Sequence, residues 1–317
     1  MAITMDASAP HSCNNSDSLE EGGTQLHGSA ANGSPFAHGM SVDVEDYFQV
    51  WGFSDVIARS AWDGYEFRAG EVTRKLLDLF DECAVKATFF TLGWVAERDR
   101  GLIRDIVGRG HELASHGYEH IKVFDQDAAT FKEDAGRTRK ILEDIGGVRV
   151  VGYRAAGFSI DQRTPFAHEV LEECGYLYSS STHPIAHDHY GDPNAPQKIY
   201  YPNAGSQFIE APVATTDIMG KRVSCAGGGW FRAMPYEVTK QLFSRAAKNT
   251  QAPLVFYFHP WEIDKGQPRI ERASKKSRLR HYINIDKMPS KLKKLMADFP
   301  FDRIDHTLPL NPASLAV

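Results

Sequence analysis

From about residue 36 the chain alternates short apolar runs with stretches whose apolar positions recur at helical spacing. Residues 38–44 read as a first strand that ends in an acidic cluster, Asp43, Glu45 and Asp46. Val72, Leu76, Leu77, Leu79 and Phe80 recur every three or four positions, which predicts a helix over 72–83. The β-branched and aromatic run 86–92 predicts a strand. A helix over 93–110, striped by Leu102, Ile103, Ile106 and Val107, leads to a short strand over 111–115 that delivers His116. Further helices are expected over 128–145, 164–174, 235–248 and 291–299, and further strands over 148–154, 207–217 and 254–258. Residues 183–206, dense in Pro, His, Asp, Asn and Gly, read as a long surface loop. This alternation predicts a parallel sheet with helices outside it, in one domain. Asp43, Glu45, His116, Arg154 and His259 all fall at or just past the carboxyl ends of expected strands. In a closed parallel barrel those ends share one face, where active sites are found.

Composition narrows the function classes. The 317 residues are 42% hydrophobic and 11% aromatic, enough for a sizeable core. A net charge of -5 argues against a nucleic-acid partner, and the one basic run, 275–280, reads as a solvated helix start. Cys13, Cys83, Cys174 and Cys225 are scattered and form no CxxC pair, so neither a disulfide framework nor a cysteine zinc site is expected. Residues 1–35, rich in Ser, Asn, Gly and Ala, read as a disordered tail rather than a signal peptide. No apolar run is long enough for a transmembrane segment, so the expected compartment is cytoplasmic.

The candidate chemistry lies in His116-Gly-Tyr-Glu-His120 together with Asp43-Val-Glu45. Two imidazoles four residues apart can close on one cation, and an upstream carboxylate completes a set with open positions for water. Asp43 and Glu45 alternate along a strand and face the same side, so one can bind the ion while the other takes a proton. Asp46 faces the other way and reads as a helix or loop cap. The same segment also satisfies H-x-x-E-H, a zinc-peptidase signature that needs both histidines on one helix. Gly117 and the preceding strand pattern oppose that reading. A two-His, one-carboxylate iron oxygenase is a third reading, and the β-α alternation speaks against it.

These residues resemble the polysaccharide deacetylases of carbohydrate esterase family 4, which share the nodulation-protein-B homology domain. The likeness runs from Gly39 to about Phe301. Residues 41–46 resemble the first motif in a D-x-D/E form, 116–120 the second, 152–158 the third and 255–259 the fifth. The text around Asp43–Phe48 and Phe258–Asp264 is similar to the subgroup found with exosortase and extracellular-polysaccharide genes. Ala156 stands where that third motif usually has proline, and no segment matches the fourth motif cleanly. The resemblance implies a distorted (β/α) barrel of about seven parallel strands, one domain over 36–317. It implies Asp43 as general base, Glu45, His116 and His120 as ligands of a divalent metal, most simply Zn2+, Arg154 paired bidentately with Asp43, and His259 as general acid. Gly157, Phe158 and Trp230 are the implied substrate contacts, with Trp230 as a candidate aromatic wall. The implied reaction removes N-acetyl groups from an amino-sugar glycan in exopolysaccharide biosynthesis. An amide or cyclic-imide hydrolase acting on a non-glycan substrate is the alternative on the same scaffold.

Overall fold

The computed structural model describes residues 36–186 and 191–315. The expected disorder of residues 1–35 therefore falls outside the described residues. Among the described residues there are ten strands: β1 (His38–Val44), β2 (Thr88–Thr91), β3 (Glu112–Ser115), β4 (Gly152–Tyr153), β5 (Tyr178–Ser179), β6 (Ile209–Glu210), β7 (Thr215–Ile218), β8 (Lys221–Ser224), β9 (Val255–Phe258) and β10 (Phe301–Asp302). The sheet runs β10-β1-β2-β3-β4-β5-β6, with β9 also on β1, and every pairing in it is parallel. β10 joins only at the foot of β1, which leaves seven strands around the wall. A parallel bridge between Val213 and Val255 links the far end back to β9. This is the distorted (β/α) barrel the sequence implies, in one domain.

The strands read as they do because both faces are covered. Every residue of β1, β2, β3 and β9 is buried, the continuous pattern of a parallel sheet rather than an alternating one. Outside them pack α1 (Ala69–Glu82), α2 (Gly93–Arg98), α3 (Arg100–Gly108), α4 (Ala128–Gly146), α5 (Ala167–Glu173), α6 (Gly228–Ala233), α7 (Tyr236–Thr250), α8 (Lys275–Tyr282) and α9 (Met288–Asp298). Val72, Leu76, Leu77 and Phe80 of α1 are buried as their spacing requires. The helix expected over 93–110 is in fact two. Asp99 ends α2 and caps α3, its carboxylate accepting the Leu102 N–H at 2.9 Å. The strand expected over 207–217 likewise divides into β6 and β7, and β7 turns back antiparallel onto β8. The basic run at 275–280 begins α8 behind a Ser274 cap. Among the described residues no helix is long and apolar enough to cross a membrane.

Candidate active site

The carboxyl ends of β1, β3, β4 and β9 converge, and the candidate side chains converge with them. β3 ends at Ser115, and Gly117, with φ +74°, turns the chain so that both histidines face inward. A Cβ at Gly117 would lie 2.9 Å from the Asp134 carboxylate, so the turn has no room for a side chain. His120 itself takes a left-handed φ of +56°. Two N–H groups of Arg59 hold this turn, donating to the carbonyls of Glu119 at 2.6 Å and His120 at 3.2 Å.

One ligand atom each from Glu45, His116 and His120 lies within 4.8 Å of the others. His116 Nδ1 is engaged by the Arg154 carbonyl at 2.9 Å, which assigns it the proton and leaves Nε2 with a lone pair for the centre. Glu45 Oε2 is buried and takes no hydrogen bond, although His120 Nε2 stands 3.1 Å away. Burial holds both imidazoles below their ordinary pKa, His120 well below, so they are neutral. Burial also pushes the Glu45 carboxyl up to about 7, against the opposing pull of His259 and the Trp261 N–H. Two neutral imidazoles and a buried carboxylate short of positive charge suit a divalent cation. Asp46, by contrast, is a cap, accepting the N–H groups of Tyr47, Arg68 and Ala69 at the start of α1.

Asp43 lies beside the trio, almost wholly buried. Arg154 donates to Asp43 Oδ1 at 2.7 Å through the same nitrogen that reaches Ser41 Oγ at 2.8 Å. Its other N–H groups go to the Ser180 carbonyl and hydroxyl, both at 2.8 Å. The expected bidentate contact is therefore absent. The guanidinium is spread over three neighbours because β5 brings Ser180 to its far side. Asp43 Oδ2 is left facing His259 Nε2 at 3.9 Å.

His259 follows β9 and is fixed by a group the sequence reading missed. Glu262 Oε1 accepts both the His259 Nδ1–H at 2.8 Å and its backbone N–H at 3.0 Å, while Oε2 takes the Arg232 Nε–H at 2.6 Å. Arg232, buried on α6, spends its remaining N–H groups on the carbonyls of Arg280, His281 and Ile283. Burial opposes charge on His259, but Glu45, Glu262 and Asp43 together outweigh it and hold its pKa up at about 9. Burial likewise opposes the Glu262 charge, and Arg232 and His259 overcome it, bringing its pKa down to about 2. The Trp261 ring stacks on His259 at 5.2 Å and donates to Glu45 Oε1 at 3.2 Å. A carboxylate three residues past His259, behind Pro260, was the available signal, since that spacing forms a capping box.

The expected substrate contacts separate. Gly157 and Phe158, both at positive φ, form the turn after Arg154, and Phe158 packs at 4.7 Å on Tyr257. Trp230 sits on α6, 45% exposed, and among the described residues shares no hydrogen bond or ring contact with the cluster. The zinc-peptidase reading fails on backbone geometry. The left-handed turns at Gly117 and His120 exclude the single helix that H-x-x-E-H chemistry needs.

Residues 61–179 match the family model described as polysaccharide deacetylase. The chain carries a polysaccharide deacetylase domain. Residues 180–309 match a model described as a domain of unknown function (DUF3473), so Arg154 and the paired histidines of the deacetylase domain meet His259 across two matched segments. The chain is 32% identical over 77 residues to the peptidoglycan-N-acetylglucosamine deacetylase of Bacillus cereus, a stretch that is 24% of this chain and 28% of that protein. It thus spans less than a third of that relative's length. A Mycobacterium smegmatis structure described as a polysaccharide deacetylase superposes with a TM-score of 0.56 at 22% identity, over 88% of this chain and 90% of the other. The Puue allantoinase superposes with a TM-score of 0.57 at 19% identity, over 87% and 92%. Both show that one fold extends over nearly the whole chain.

Proposed function

We propose that this chain is a divalent-metal hydrolase that removes N-acetyl groups from an amino-sugar glycan. The observation that carries the reading is the convergence of Glu45, His116 and His120 within 4.8 Å, with Asp43 and His259 beside them and 3.9 Å from each other. Glu45, His116 and His120 would hold the ion, which when bound supplies Lewis-acid polarisation and a more acidic water. Asp43, anchored through Oδ1, would take the proton from the attacking water with its Oδ2. The water oxygen then bonds to the acetamide carbon. The backbone N–H of Gly157 would serve as donor to the oxygen that gains charge. His259 donates its Nε2 proton to the nitrogen as the C–N bond breaks, giving a free amine and acetate. Glu262 on Nδ1 keeps that proton on the side facing the substrate.

The Bacillus cereus relative's name supports N-acetylglucosamine as the sugar, and we take zinc as the ion and exopolysaccharide as the setting. Because the same fold carries an allantoinase, fold does not exclude a non-glycan amide. Acetate release from N-acetylglucosamine oligomers, with elemental analysis of the protein, tests both points. Turnover only on cyclic ureides or imides would overturn the glycan reading.

A further inference from the structure

Lys122 follows the ligand His120 by two residues, yet nothing in the reaction described above uses it. Only 7% of its surface is exposed. Its ammonium lies 2.9 Å from the centroid of the Trp51 ring and 5.0 Å from that of Phe124. Among the described residues no carboxylate or carbonyl receives a hydrogen bond from it, and Asp125 acts on it only through space. Burying an ammonium without an anion costs several kcal/mol that a cation–π contact of about 2 kcal/mol only partly offsets. Arg59, on the other side of His120, is exposed; it meets carbonyls and the Trp62 face and acts through space on the Asp134 carboxylate. In a chain of net charge -5, Lys122 is therefore a largely buried cation, two positions past a candidate metal ligand, that makes no direct pair with a carboxylate among the described residues.

The surroundings are those of a binding subsite. Trp51 is 41% exposed, so its indole is open to solvent beside the ammonium. At Gly157 an added Cβ would find only the Lys122 Cε within 4 Å, at 3.7 Å, so there is space above the turn next to the candidate oxyanion donors. An exposed indole suits the apolar face of a sugar ring, and a primary ammonium suits an oxyanion as a point charge.

We propose that Lys122 and Trp51 form a subsite for an oxyanion, a carboxylate or phosphate, carried by the glycan next to the acetamide that is cleaved. This deepens the deacetylase reading and rests on it. The substrate is then an acidic amino-sugar chain or a phosphate-linked amino sugar rather than a neutral oligomer.

The test compares the metal-loaded protein with Lys122→Met, which keeps the stem, and Lys122→Arg, which keeps the charge. Three probes are used: neutral chitotetraose, a hyaluronan tetrasaccharide bearing uronates, and UDP-N-acetylglucosamine bearing phosphate. The wild type should favour one charged probe over the neutral one by about tenfold in kcat/KM, carried in KM, the size expected of one hydrogen bond to a charged group. Lys122→Met should abolish that ratio and Lys122→Arg restore most of it. The favoured probe tells carboxylate from phosphate. Equal kcat/KM on all three, or a ratio untouched by Lys122→Met, overturns the subsite. Calorimetric binding of the same probes separates the failures. Selective binding of a charged probe that Lys122→Met removes, with no acetate released, refutes only the hydrolysis reading.

Discussion

Glu262→Gln is the sharpest perturbation of the site, because it changes one charge and almost no volume. The wild-type carboxylate holds His259 by Nδ1 and by its backbone N–H, and holds Arg232 by Nε. Its pKa falls from 4.5 to about 2 although burial opposes the charge, so those partners outweigh burial by about 3 kcal/mol. Sharing that surplus between Arg232 and His259 assigns at least one to two kcal/mol to the imidazolium, a factor of about tenfold or more. The amide also offers N–H groups where one neighbour needs an acceptor, so the ring loses its fixed orientation. The full contribution of a general acid, about 10²–10⁴-fold, sets the upper bound. We expect kcat on an N-acetyl sugar to fall about 10–100-fold with KM little changed. Arg232 is left buried without its counter-charge, which costs about 3–5 kcal/mol of stability, so folding must be scored separately. A leaving group that needs no proton does this. On 4-nitrophenyl acetate the variant should lose far less than on the amide. Equal losses on both substrates, or kcat within twofold of wild type on the amide, would refute the assignment of Glu262 to holding the acid.

Asp43→Asn should lower turnover by at least about 10²-fold with the ion content unchanged, since Asp43 is outside the ligand trio; elemental analysis alongside acetate release reads both. His116→Ala should instead strip the ion, and a stoichiometric metal content in that variant contradicts the ligand set. A third expectation concerns acid stability. Burial lowers the pKa of His38 from 6.5 to about 4, so the folded state resists a proton that the unfolded chain accepts. Stability from this group is full above pH 6.5 and is lost as pH falls toward 4, about 2 kcal/mol by pH 5. Relative to His38→Gln, the wild type should lose that amount between pH 7.5 and 5 in denaturant unfolding. Parallel losses in the two proteins would show that His38 is not held neutral.

Much of the site was legible because strand ends are legible. β1 and β9 match their expected spans almost residue for residue, β9 as a continuous apolar run and β1 through the alternation of Met40, Val42 and Val44. The pairing of Asp43 with Glu45 follows from the two-residue period of the strand, and the same period sends Asp46 away to cap α1. What escaped was non-local. Ser180 takes part of Arg154 because β5 lies next to β4, a neighbour relation no local pattern reports. Arg232 reaches Glu262 from α6, a six-residue helix of Gly, Trp, Phe, Arg and Ala with too few turns to show periodicity. The break at Asp99 escaped because one capping carboxylate outweighs a continuous apolar stripe. Trp230 was weighed for its ring alone, whereas position on an outer helix decided its exposure.

The seam between the two matched segments falls at residues 179 and 180, at the end of β5. β9, from the second segment, is hydrogen-bonded directly to β1, which precedes the first. The stretch of unassigned function is thus a structural stave of the barrel and the bearer of the proposed acid, rather than an appendage. Cut off before residue 180, the chain would forfeit His259, Glu262 and Arg232 together and bare a β1 flank inviting edge-to-edge aggregation. Inheritance of one segment without the other would leave neither the full set of staves nor the side chains of the proposed proton path.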